Sequence, residues 1–181
     1  MGNSGNGGRT LSRKVVNESS VGSFGIEEVA LPNGRVAKLA ILKHPGAAAV
    51  VPFLDRERIV LLRQYRHAAG GMIWEAPAGK LDPDEDPASC AGRELQEETG
   101  YRAGRLELLG MIHTTPGFSD EVIYLFEASD LTRGKRRLEG NEVIEIHEIE
   151  LAEALGMIDR GEITDAKTIA ALFHVARRAR G

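Results

Sequence analysis

The amino-acid sequence predicts an α+β fold, an α/β/α sandwich with mixed strands between helices. Three observations point there. Apolar strand-like runs fill the first half of the chain, one well-bounded helix interrupts them at residues 87–99, and two helical stretches follow the last strand. A regular βαβ array would instead alternate strands and helices throughout.

Taken in order, residues 1–12 are rich in Gly and Asn and read as a flexible leader. Residues 13–44 carry short apolar alternations broken by Asn33-Gly34, a hairpin signal, and form a β extension ahead of a main domain at 45–181. Residues 47–54 and 58–65 are apolar runs joined by polar Asp55-Arg56-Glu57, the pattern of central strands. The segment MIWEAPAG, 72–79, is a short strand ending at Pro77. Pro87 suits the first turn of a helix and Gly100 the residue after its last turn, which places the helix at 87–99. Residues 105–113 and 121–128 read as strands around the loop TTPGFSD. A polar stretch, LTRGKRRLEGNE, precedes an alternating strand at 143–151. Helices follow at 152–160 and 165–178, with Thr164 or Asp165 as the candidate cap of the second.

Composition narrows the function classes. A net charge of −4 offers no basic field for nucleic acid. The RRAR run near the C-terminus reads as a solvated helix end that complements the helix dipole. One cysteine, Cys90, excludes an internal disulfide and suits a reducing cytoplasm; its place inside the helix makes it a packing residue. No window has the apolar length of a membrane span. The five histidines, His44, His67, His113, His147 and His174, show no ligand spacing.

The most informative local feature is a concentration of acid. Glu94, Glu97 and Glu98 stand at i, i+3 and i+4 and so share one helix face, with Ala88, Ala91 and Leu95 beside it. Like charges at this spacing repel, and they lie in the C-terminal half of the helix, where the dipole disfavours anions. A solvated acidic face is the ordinary explanation. Here only Arg93 is spaced to relieve the charges, and the preceding strand ends at Ala78-Gly79. A hard divalent cation wants several oxygen ligands, with substrate phosphate completing its shell. The helix therefore reads as a platform for Mg²⁺, with Mn²⁺ as a substitute.

The stretch GKLDPDEDPASCAGRELQEETGY, 79–101, resembles the Nudix box. Gly79 is followed after five residues by Glu85, after seven more by Arg93-Glu94-Leu95, then by Glu97-Glu98, Gly100 and apolar Tyr101. The resemblance implies a Nudix fold over roughly 45–181 and cleavage of a nucleoside diphosphate linked to another moiety. It implies that Glu94, Glu97 and Glu98 are metal-site glutamates and that the Ala78 carbonyl is a further ligand. Gly79, Glu85 and Arg93 would support them, Glu85 and Arg93 as an ion pair that holds loop and helix.

Further stretches resemble the ADP-ribose pyrophosphatase and nucleoside diphosphate sugar hydrolase subgroup. RQYR, 63–66, offers Arg63 or Arg66 to a diphosphate, because a guanidinium matches phosphate oxygens in a fork. IWEAPAG is similar to the strand leading into the box in those enzymes and makes Glu75 a candidate metal or substrate ligand. Pro116, in TTPGFSDE, sits where the subgroup carries a proline. Trp74 is the single tryptophan, so the two N-terminal tryptophans that clamp adenine in some relatives are missing; Phe24 or Phe118 is the candidate replacement. The general base has three candidates, Glu139, Glu142 and Glu145. GNEVIEI resembles the junction that carries it, which favours Glu142, with Glu121 as a further alternative. The resemblance also implies a homodimer in which N-terminal strands pack across the partner. The expected reaction converts ADP-ribose to AMP and ribose 5-phosphate. GDP-mannose, another sugar nucleotide or NADH is the alternative substrate. A non-hydrolytic ADP-ribose sensor is a further alternative, though such modules usually lose box glutamates that this chain keeps.

Overall fold

The computed structural model describes residues 7–138 and 142–178; residues 1–6 of the leader and Glu139, one candidate base, lie outside them. The chain divides into two compact units, Met1–Pro45 with Thr115–Glu121, and Gly46–Thr114 with Val122–Gly181.

The first unit is built on an antiparallel sheet of β1 (Arg9–Ser19), β2 (Gly22–Ala30) and β3 (Val36–Lys43), in that spatial order. Asn33-Gly34 makes the turn between β2 and β3. Gly34 takes φ +80°, its N–H donates to the Leu31 carbonyl (2.9 Å), and Asn33 Oδ1 accepts the Arg35 N–H (3.0 Å). Residues 9–12, expected in the leader, are strand. Arg9 and Thr10 pair with Ala30 and Val29. The reason is a charge that propensity does not reveal. Glu27, 5% exposed on the central strand, accepts from Thr10 Oγ1 (2.9 Å) and Arg13 Nη1 (2.5 Å) of β1. Burial pushes the Glu27 carboxyl up, but those two bonds and the Lys43 charge outweigh it and hold it below the usual range. The loop 115–121 turns at Pro116-Gly117, with the N–H groups of Phe118 and Ser119 on the Thr115 carbonyl, and Phe118 C=O accepts the Leu42 N–H (2.8 Å).

The second unit contains β4 (Ala47–Pro52), β5 (Arg58–Arg66), β6 (Gly71–Glu75), β7 (Ala78–Lys80), α1 (Pro87–Thr99), β8 (Tyr101–Arg102), β9 (Arg105–His113), β10 (Val122–Ser129), β11 (Thr132–Arg133), β12 (Ile144–Glu150), α2 (Leu151–Asp159) and α3 (Ala166–Arg178). One sheet has the order β7-β4-β10-β9, with β4 and β10 parallel and the other neighbours antiparallel. A second, antiparallel, has the order β12-β5-β6, and β11 pairs with β8. Every residue of β4 is buried. Ala47, Ala49 and Val51 meet Ile59, Leu61 and Leu125 together with Met157 of α2 and Leu172 of α3. Ala48 and Val50 point the other way, to Val60, Phe126 and the α1 residues Cys90, Ala91 and Leu95. A strand covered on both faces has no polar positions to alternate, which explains the unbroken apolar run. Helices therefore lie on both sides of the strands, as the predicted sandwich requires.

The expected strand at 72–79 is divided. Pro77 has no N–H to give, and the Ala76-Pro77 step carries the chain from β6 in one sheet to β7 in the other. Its polar groups find other partners: Ala76 N–H donates to Thr168 Oγ1 (2.8 Å), and the Pro77 carbonyl accepts from Val50 (2.9 Å). The α1 boundaries fall where expected. Asp86 caps it by accepting the N–H groups of Ala88 (3.0 Å) and Ser89 (3.1 Å), and Gly100 ends it at φ +78°.

Candidate active site

The C-terminal half of α1 faces β7. Glu98 is 2% exposed, and its Oε2 accepts the Ala78 N–H at 3.0 Å. The Glu94 carboxylate lies against the α-carbon of Gly79, where any Cβ would overlap it. Glycine at 79 is thus a matter of close approach rather than of backbone angle. Burial pushes the Glu98 carboxyl up to about 8, with the charges of Glu94 and Glu142 adding to the rise and the Ala78 N–H and Arg66 opposing it. Burial likewise raises Glu94; the Arg93 contacts oppose that, and Glu97 and Glu142 reinforce it. Glu142 therefore stands within electrostatic reach of both carboxylates.

Arg93 organises the other side of the cluster. It donates to Glu85 through Nε and Nη2 (2.9 Å each), to Glu94 (2.6 Å), to Glu97 (3.1 Å) and to the Lys80 carbonyl (3.0 Å). These bonds hold the Glu85 carboxyl at about 2. Glu85 also accepts the Asp82 N–H (2.9 Å), which ties the loop ahead of α1 to the helix. Glu97 is more open than Glu94 or Glu98, its side chain 41% exposed on Arg93. Cys90 lies on the buried side of α1, and its thiol faces the Gly79 and Lys80 carbonyls.

Other candidates are sorted by strand alternation. Arg66 and Glu75 share a face and form a forked pair, with Nη2–Oε2 at 2.7 Å and Nε 3.1 and 3.2 Å from the two oxygens. Arg66 also feels the charge of Glu98. Arg63 points to the opposite face of β5 and lies over the Trp74 ring, 5.6 Å from its centroid. The structure does not bring Arg63 together with Arg66. Glu145 is exposed on β12 beside His147 (3.4 Å). Pro116, Phe118, Phe24 and Glu121 belong to the first unit, where Glu121 lies 3.5 Å from His44 Nε2.

Several residues of this region escaped the sequence reading. Arg136 Nε donates to the Glu98 carbonyl (2.6 Å) and its Nη2 to Ile144 (3.0 Å), while the Arg137 N–H reaches the Glu97 carbonyl (3.0 Å). Cationic and N–H donors thus meet the negative end of α1, the end that the glutamates burden. Within a polar stretch no spacing distinguishes Arg136 from its neighbours. Gln64, on the same β5 face as Arg66, is buried, and its Oε1 has no hydrogen-bond partner among the described residues. Lys167 and Thr168 of the first turn of α3 reach Glu75 and Ala76, and Asp165, just ahead of the helix, holds both of them. Asp165 signals itself as a cap; its neighbours carry no signal.

The donor set suits a hard divalent cation: the carboxylates of Glu94 and Glu98, brought together by the close approach that Gly79 allows, next to the Ala78 backbone whose N–H binds Glu98. A buried carboxylate, Glu98, and a half-buried one, Glu94, that repel each other are the electrostatic deficit such an ion would fill. Among the described residues no three His, Cys, Asp or Glu side chains already close into a cage, and Arg93 occupies part of the oxygen surface of Glu94 and Glu97.

Known proteins resemble this chain over most of its length. The NUDIX domain model matches residues 43–172. An ADP-ribose pyrophosphatase of Bacillus subtilis (strain 168) is 39% identical over 169 residues, 92% of this chain and 91% of the relative. A GDP-mannose pyrophosphatase of Cronobacter sakazakii (strain ATCC BAA-894) is 39% identical over 143 residues, 74% of each chain. A solved structure described as an ADP compounds hydrolase shares the fold, with a TM-score of 0.83 at 22% identity over 97% of this chain and 95% of that one. With its glutamate-bearing helix, glycine at the point of closest approach and a family match over most of its length, the chain belongs to the Nudix family.

Proposed function

We propose that this Nudix pyrophosphohydrolase cleaves the diphosphate of ADP-ribose and related nucleoside diphosphate sugars, giving AMP or another nucleoside monophosphate and a sugar phosphate. The observation that carries the reading is the pair of buried Glu98 and half-buried Glu94, held against Ala78 and Gly79 within reach of Glu142. Glu94, Glu98 and the Ala78 carbonyl would hold Mg²⁺, or Mn²⁺ in its place, with Glu97 as a further ligand once released from Arg93. A bound ion would neutralise the diphosphate and make its phosphorus more electrophilic. Arg66 offers its guanidinium to diphosphate oxygens, and Glu75 orients it. Glu142 takes the proton from the attacking water. Glu85 and Arg93 keep the loop and helix in register. Pro116 and Phe118 remain our candidates for contacts to the sugar nucleotide. We further read the protein as a cytoplasmic homodimer joined through the first unit, whose sheet exposes Val15, Val16, Val36 and Leu39. Sedimentation equilibrium checks this, and a monomer at micromolar concentration would reject it.

The enzymatic test is hydrolysis of ADP-ribose, ADP-glucose, GDP-mannose, UDP-glucose and NADH with Mg²⁺ or Mn²⁺, wild type beside Glu98→Gln. Fastest release of AMP from ADP-ribose, lost in the variant, is the expected result. The relative active on GDP-mannose favours a second reading in which that sugar nucleotide is turned over faster; the site roles would then stand and the substrate would change. Tight ADP-ribose binding without turnover would reject hydrolysis altogether.

A further inference from the structure

Lys167 is the second residue of α3, a position that disfavours it twice. The helix N-terminus carries partial positive charge and repels a cation. The side chain is only 12% exposed, so its ammonium gives up most of its hydration. Two carboxylates compensate: Glu75 Oε1 at 3.3 Å and Asp165 Oδ2 at 3.0 Å from Nζ. Asp165 is already occupied as the helix cap, accepting from the Thr168 N–H (3.0 Å) and Thr168 Oγ1 (2.6 Å). Thr168 Oγ1 in turn receives the Ala76 N–H at 2.8 Å. The first turn of α3 therefore grips consecutive residues, Glu75 by charge and Ala76 by hydrogen bond, just before the chain enters β7.

Glu75 has a cation on each side. Arg66 engages it through Nε and Nη2, while its Nη1 makes no hydrogen bond among the described residues and its side chain is 41% exposed. One cation would suffice to neutralise a single carboxylate. The second changes what the first is free to do. With Lys167 neutralising Glu75 from behind, Arg66 is oriented by Glu75 without being consumed by it, and its outer edge remains available to an anion.

We propose that Lys167 is a positioning residue for substrate: it fixes Glu75 from the α3 side so that Arg66 presents its free edge to the diphosphate of a sugar nucleotide. This rests on the functional reading above, in which Arg66 meets the diphosphate. Removing the charge at 167 lets Glu75 draw Arg66 inward, so binding weakens while the chemical step, carried by residues of α1 and by Glu142, is spared.

The test compares wild type, Lys167→Gln and Lys167→Arg by calorimetric titration with the α,β-methylene analogue of ADP-ribose and by steady-state hydrolysis of ADP-ribose, both with Mg²⁺. Lys167→Gln should raise Kd and KM by about tenfold or more with kcat within about threefold, and Lys167→Arg should restore both. Its melting midpoint should lie within about 3 °C of wild type. A Lys167→Gln protein with unchanged Kd and KM overturns the proposal, as does one that loses kcat alone. A Lys167→Gln chain that fails to fold while Lys167→Arg folds also overturns it, because the lysine then holds the structure rather than the site. Wild type that neither binds the analogue nor hydrolyses any sugar nucleotide fails the functional reading itself, a result separate from all of these.

Discussion

Gly79 shows how one absent atom shapes the site. The Glu94 carboxylate fills the space a Cβ would take, and that carboxylate is the far end of a flexible side chain. Gly79→Ala should therefore displace Glu94 at little expense to the fold. We expect kcat/KM for ADP-ribose to drop by more than about tenfold, about 1.4 kcal/mol of transition-state stabilisation, with a nearly unchanged denaturation midpoint. A fall in stability as large as the fall in activity would contradict this. Glu85 makes a different prediction. Its folded-state pKa, about 2, lies below the ordinary value of 4.5, mainly through the Arg93 hydrogen bonds. Its stabilisation is therefore fully present above pH 4.5 and is lost as pH falls from there through about 2. Urea midpoints measured across that window should decline more steeply in wild type than in Glu85→Gln. Parallel curves would show that the ion pair adds nothing.

At the scale of elements, α1 is locally legible at both ends. Asp86→Ala removes an acceptor for two N–H groups and should cost about 1 kcal/mol in chemical denaturation. An effect below a few tenths would mean that water replaces the cap. The caps, the Glu94, Glu97 and Glu98 face and the hairpin at Asn33-Gly34 were readable because each is set by residues within one or two turns of chain. The division at Ala76-Pro77 was not. Pro77 announces a strand end, but nothing nearby announces the change of sheet, and Thr168, the residue that takes the Ala76 N–H there, lies 92 positions away. Likewise β1 begins at Arg9 because Glu27 recruits Thr10 and Arg13 across the sheet, which a Gly-rich leader does not announce. Lys167 and Arg136 share this character: each sits in an ordinary polar context and acquires meaning only from what the fold places opposite it.

For the whole molecule, the decisive feature is a layer of strands buried from both sides. Leu61, fully buried with the residues of α2 and α3, should cost about 2–5 kcal/mol when replaced by Ala, whereas Leu108→Ala, at a position 54% exposed, should change stability by no more than about 0.5 kcal/mol. Equal effects would argue against a core centred on these strands. The sequence predicted that layering from two apolar runs and three helical stretches, because two-sided burial leaves a direct trace in composition. The assignment of strands to separate sheets left none: β4 and β5 have nearly the same character, yet one pairs with β10 and the other with β12.

The single thiol has a further use. Cys90 lies wholly inside, on the buried face of α1, and burial pushes it up to about 12, so neither access nor ionisation favours attack by a reagent. Modification must await an excursion in which α1 lifts from the strands, and its rate counts those excursions. The chain thus carries its own clock for local opening, with no engineered probe and no competing thiol to confuse the reading. Addition of Mg²⁺ should slow that clock if the ion ties α1 to β7 through Glu94, Glu98 and Ala78, a result visible without any substrate. An unchanged modification rate at saturating Mg²⁺ would mean that the ion, wherever it binds, does not hold this helix in place.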